Sequence, residues 1–166
     1  MQKGYCTAQV RHCLGHDSNG KPLYDEWHTI ADNVPNLLTN VGKDLLHNYG
    51  YIYVAADTIT TVGANFIALS EATLTPAVGD TTLGSEIATN GLSRAAATTK
   101  THTPGANTSV IAKTFTASGS FTSVLASALF TASAVGTMVH IANFATGSGT
   151  LISGDQLAVT WTITLS

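Results

Sequence analysis

Six histidines and two cysteines are the residues of this 166-residue chain best suited to hold a soft or borderline metal. Five of the positions, Cys6, His28, His47, His102 and His140, are scattered over different predicted regions. His12, Cys13 and His16 lie close in sequence and have the donor types of a weak soft-metal cluster. They fall on a predicted strand and turn rather than on one helix face, and no H-E-x-x-H motif is present. The reading taken is ordinary polar positions on a ribbon, with no metal and no cofactor.

Carboxylates do not pair for acid–base work. Asp25 and Glu26 are neighbours on a predicted strand, so they face opposite sides. Asp17, Asp80 and Asp155 adjoin turn-like segments, where a short carboxylate caps backbone N–H groups. No G-x-S-x-G elbow or phosphate loop occurs, and "GSGT" at Gly147–Thr150 reads as a hairpin loop. The expectation is that the chain is not an enzyme. One aromatic is placed differently from the rest. Trp27 sits among Asp25, Glu26 and His28, and an aromatic among polar residues suits an interface anchor. Tyr5 and Tyr24 on the same ribbon join it as candidate contact residues.

The elements that must carry these residues are mostly strands. Residues 3–31 read as a long two-stranded ribbon whose turn is "HDSNGKP", since Asn-Gly tolerates the positive φ of tight hairpins. Asp32–Gly50 reads as a helix, with Asp32 and Asn33 as caps, Pro35 in the first turn and a stripe at Leu37, Leu38, Val41, Leu45 and Leu46. Beyond residue 51 short strands alternate with Gly, Pro, Asn and Ser. "PGAN" joins two of them as a hairpin, and one helical turn is expected near Thr82–Glu86. "FTSVLASALFTAS" fits a short helical stripe or a bent strand. The predicted fold is mainly β: an antiparallel sandwich or jelly-roll-like domain over 36–166, with a helix at about 36–48, preceded by a β-ribbon arm over 1–35.

The last strand shows the pattern most clearly. In "GDQLAVTWTITLS", Leu157, Val159, Trp161, Ile163 and Leu165 share one parity and form a predicted core row. Threonines fill the other parity. A strand without charged gatekeepers is expected to be an inner strand or one covered by a neighbour. The five Phe residues are expected in the core as well.

Composition agrees with a contact role. Charged residues make up 10%, against roughly 25% in ordinary globular domains. After Lys113 the only charged side chain is Asp155, while the chain carries 26 Thr and 13 Ser. A net charge of −3 gives no basic footprint for nucleic acid and no polybasic membrane patch. No apolar run is long enough for a membrane helix, and the N-terminus lacks the apolar region of a signal peptide. Cys6 and Cys13 are expected as free thiols of a reducing compartment. Hydroxyl-rich surfaces associate without the desolvation cost of burying ions.

Three segments in order resemble small β-rich virion proteins of tailed bacteriophages. They are "DEWHTIADN…PNLLTNVGKDLLH", "GANFIALSEATLTPAVGDTTLGSEIATNGLSRA" and "KTFTASGSFTSV…ALFTAS…GTMVHIANFA…SGDQLAVTWTITLS", together covering most of residues 27–166. The resemblance implies a non-enzymatic particle component located in the virion and made in the host bacterial cytoplasm. Among such proteins a head decoration (cement) protein fits the size best. Its expected partners are the major capsid protein and further copies of itself, a trimer being the expected state. A tail or neck component, including a receptor-binding tip, and a glycan-binding β-sandwich module are the alternatives.

Overall fold

A computed structural model of the chain describes residues 3–40, 42, 63–104 and 106–164. The described residues are mainly β, and every strand pairing is antiparallel. Among the described residues twelve strands occur, in chain order: β1 (Lys3–Arg11), β2 (Cys13–His16), β3 (Pro22–Tyr24), β4 (His28–Pro35), β5 (Leu37–Leu38), β6 (Phe66–Ser70), β7 (Ala95–Ala96), β8 (Thr99–His102), β9 (Thr108–Thr116), β10 (Ala126–Phe130), β11 (Met138–Asn143) and β12 (Gln156–Thr164).

They form two five-stranded sheets and one small ladder. The first sheet has the order β4-β1-β12-β9-β8, the second β5-β11-β10-β6-β7, and β2 pairs only with β3. β12 is the middle strand of the first sheet. It pairs with β1 from Gln156↔Arg11 to Thr164↔Lys3, and with β9 from Gln156↔Thr116 to Thr164↔Thr108. Alternation explains both of its faces. Leu157, Val159 and Trp161 are fully buried, Ile163 is half-buried, and Leu165 lies outside the described residues. On β1 the small residues Cys6, Ala8 and Val10 are buried on the same side, leaving room for the Trp161 ring opposite Cys6.

The inner faces of both sheets share one core. Cys6, Val10, Leu157, Val159 and Trp161 from the first sheet cluster with Ile67, Leu69, Leu129 and Ala142 from the second. Trp161 Nε1 donates to Ser127 Oγ of β10 at 3.3 Å, so the indole N–H is satisfied inside. Phe115, Phe121, Phe130 and Phe144 are buried, and Phe66 is half-buried.

The second sheet is covered on its other face too. Ala68, Ala128, Phe130, Met138 and Ile141 pack with Leu83 and Leu74 of the segment after β6. Asn143 clamps that segment by accepting from Leu74 N at 3.1 Å and donating to Leu74 O at 2.7 Å. Arg94 holds its far end, donating to both oxygens of Glu86 at 2.8 and 2.5 Å while stacking 3.4 Å over the Phe130 ring. All five residues of β10 are buried as a result. A strand covered on both faces loses its period of two, which resolves "ASALF" as a strand.

Three expectations are corrected. The helix does not start at Asp32. That residue, Asn33 and Pro35 belong to β4, and Leu37–Leu38 pair with His140 and Ile141 of β11. Asn33 adopts φ 47°, the left-handed region that Asn tolerates, where the β1–β4 pairing shifts register. Thr39 takes the capping part instead: its Oγ1 accepts the Gly42 N–H at 3.0 Å and donates to Met138 O at 2.7 Å. The rest of the predicted helix and the strand expected after residue 51 lie outside the described residues. Residues 82–86 make no helical turn; Ser85 has φ 51° and Glu86 bridges to Ser70. The expected arm over 1–35 is not set apart across its described residues, 3–35, either. β1 and β4 are strands of the first sheet, because β1 satisfies its second edge on β12. Of the described strands only the β2–β3 hairpin stands outside the two main sheets.

Candidate contact surface

The hairpin is built from its turn outward. Asp17 Oδ1 accepts the Asn19 and Lys21 N–H groups at 2.8 and 2.9 Å, and Asp17 N bonds Lys21 O at 2.9 Å. Gly20 adopts φ 77°, which closes the turn. One side chain per strand carries the apolar character outward: Leu14 is 70% exposed and Leu23 49%. Trp27 follows at 36%, just after β3.

A buried carboxylate fixes the base. Asp155, 1% exposed, accepts Cys13 N–H at 2.7 Å, Ile152 N–H at 2.8 Å and a contact from His12 Nδ1 at 2.9 Å. Desolvation acts to raise its pKa, but these hydrogen bonds outweigh it and hold the carboxyl below the usual range. Asp25 works from the other strand. Its Oδ1 accepts the His12 N–H at 2.6 Å, which lowers its pKa, and Oδ2 meets His28 Nε2 at 3.3 Å. Asp155 thus does more than cap its own turn. It joins the start of β12 to the hairpin across 142 residues of sequence.

Arg11 links the same corner to the first sheet. Its guanidinium lies 4.0 Å from the Tyr24 ring centroid and 4.6 Å from that of Trp27, and it donates to Gln156 Oε1 from Nε (3.0 Å) and Nη2 (2.7 Å). Two of the three sequence-predicted contact residues, Tyr24 and Trp27, are therefore brought together by Arg11. Tyr5 is near the opposite end of β1, across from Thr162, on the same outward parity as Arg11.

That parity defines a broad outer face on the first sheet. β1 contributes Lys3, Tyr5, Thr7, Gln9 and Arg11. The matching β12 row is Thr162, Thr160, Ala158 and Gln156, with Thr164 beyond. On β9 the row is Thr108, Val110, Ala112, Thr114 and Thr116, and β8 adds Thr99 and Thr101. Arg11 and Lys3, at the two ends of β1, are the charged residues in these four rows, and no described segment covers them.

Among the described residues the chemistry-bearing side chains do not converge. Among the described residues no group of three or more His, Cys, Asp or Glu is placed to hold a metal. His12 and His28 each meet one carboxylate, His102 Nδ1 meets Thr108 O, and His140 is buried against Trp161 with ring centroids 6.2 Å apart. His47 lies outside the described residues. Cys6 is buried, its thiol pKa pushed up by desolvation, and Cys13 is half-buried; both are free. Leu14, Leu23, Arg11 and the reach of Asp155 escape sequence reasoning. The apolar residues flanking an Asn-Gly turn carried a signal for the first two; the contacts of Arg11 and Asp155 depend on topology. No family model, curated protein or solved structure matches this chain.

Proposed function

We propose that this chain is a non-enzymatic structural protein of a tailed-bacteriophage virion, a decoration (cement) protein that sits on the outer capsid surface and bridges subunits of the major capsid protein. In this reading the two large sheets form a β-sandwich body of jelly-roll type, and the β2–β3 hairpin is the arm that reaches a neighbour. The observation carrying it is the hairpin itself: Leu14 and Leu23 point apolar surface outward from a base fixed by buried Asp155. Exposed apolar side chains on a braced element suit an anchor, since little ordering entropy is left to lose on docking. The order of the virion-like sequence segments supplies the context. Cementing needs no chemistry: many weak contacts on one lattice add through avidity.

The test uses purified capsids with the protein added back. Wild-type protein co-sediments with them in many copies per particle and raises the temperature at which they break. Leu14→Asp with Leu23→Asp weakens binding by about a hundredfold, the loss of two anchors worth somewhat over 1 kcal/mol each. Absence of wild-type binding, or equal binding by the double variant, overturns the reading.

A further inference from the structure

We propose that the outer face of the first sheet binds a second copy of this chain in a two-fold, face-to-face pair. The inference concerns a surface apart from the hairpin tip and does not depend on the virion reading. The two sheets differ in one respect. The outer face of the second is covered by the chain's own Leu74 and Leu83, whereas that of the first has no described cover. Its central residues Ala158, Thr160 and Thr162 lie only half-buried.

The chemistry of the face selects the occupant. In a two-fold contact each patch meets its own copy, so residues near the axis face themselves. Carboxylates only accept and ammonium groups only donate, so neither is complementary to itself; a hydroxyl does both. A face of threonine can therefore hydrogen-bond to an identical face, and like charges would oppose it. The charged residues of the four rows stand at the two ends of β1, away from the centre: Arg11 is covered by Tyr24 and Trp27 and bonded to Gln156, and Lys3 is placed opposite Thr164. Size also fits. Three strands of nine residues, one of eight and one of four, at ~4.8 Å spacing and ~3.3 Å rise, give roughly 600 Å² a side, within the range of specific interfaces, whose standard size is ~800 Å² per partner. Stacked sheets of this kind cross at about −30° and lie ~10 Å apart.

Thr160 is the middle residue of the middle strand, opposite Thr7 on β1 and Ala112 on β9. Light scattering after size exclusion reads the mass. Wild type is expected at two chains, and Thr160→Glu and Thr160→Lys each at one chain. An equimolar mixture of the two returns to two chains, because opposite charges then meet across the axis. A wild-type mass of one or three chains overturns the proposal, whatever the charged variants do. So does a two-chain mass in either single variant, or folded variants whose mixture stays at one chain. Thr114→Arg, at an exposed position of the same face, serves where Thr160 variants fail to fold: its shift to one chain supports the pair and retention of two chains overturns it. Capsid binding by Leu14 and Leu23 is scored separately, so either result stands without the other.

Discussion

At neutral pH the His140 ring is uncharged, since burial pushes its pKa down to about 4. The Asn36 amide donates to its Nδ1 at 3.0 Å, which places the ring proton on Nε2. The ordinary value is 6.5, and in the unfolded chain the ring takes up a proton there. Between those two values the unfolded state binds more protons than the folded one, so stability is lost as pH falls from about 6.5 towards 4, by about 3 kcal/mol. The carboxylates Asp25 and Asp155 are shifted below their ordinary range, so their contribution is lost mainly below about pH 4, and the upper part of this window belongs to His140. Urea midpoints measured from pH 7 to pH 4 should fall, and His140→Gln should flatten that slope. In the sequence His140 looked no different from five other histidines. Its role comes from β11 being buried on both sides, a property of the sheet and not of the residue.

Elements here are joined by single polar groups. Asp155 precedes β12, and its carboxylate holds the backbone of Cys13 at the start of β2 and of Ile152 in its own turn. Asp155→Asn keeps the size but sets an amide N–H against groups that already donate. With buried donors left unpaired, a loss of about 2–3 kcal/mol is expected in chemical denaturation. Hydrogen exchange at the Cys13 amide should speed up more than at Trp161, because the hairpin loosens before the sheet does. The strands themselves were largely legible. Half-buried β12 and β1 show period two in hydrophobicity, and the Asn-Gly turn with Asp17 behind it marks the hairpin. The strand over His28–Pro35, where a helix start is expected, has a physical reason. Asp32, Asn33 and Pro35 are strong starting signals in isolation, but β1 offers β4 a full edge of hydrogen bonds, and Asn33 absorbs the misfit as a bulge.

For the whole molecule the decisive fact is which strands are neighbours. Composition pointed to a β protein, yet nothing local says that β1 and β12 lie side by side in the middle of one sheet. A charged, ribbon-like first third therefore read as a separate arm, and its inward row of Cys6, Ala8 and Val10 was the clue that it was not. A chain of residues 36–166 should fail to fold on its own: β12 would lose the partner of all nine residues on one edge, and Trp161 would lose the lid formed by β1. Circular dichroism and a urea titration check this; a cooperative transition in the truncated chain would contradict it.

The same adjacency sets a timetable during synthesis. β1 leaves the ribosome before the other described strands, and its β12 edge has no partner until residues 156–164 emerge. At roughly 5–20 residues per second that interval is on the order of ten seconds. During it β1 can pair with β4 on one edge, while the other edge and the side chains of Cys6 and Val10 stay open. The nascent chain is thus most exposed to misassociation along its first strand, and the last nine strand residues end that exposure in one step.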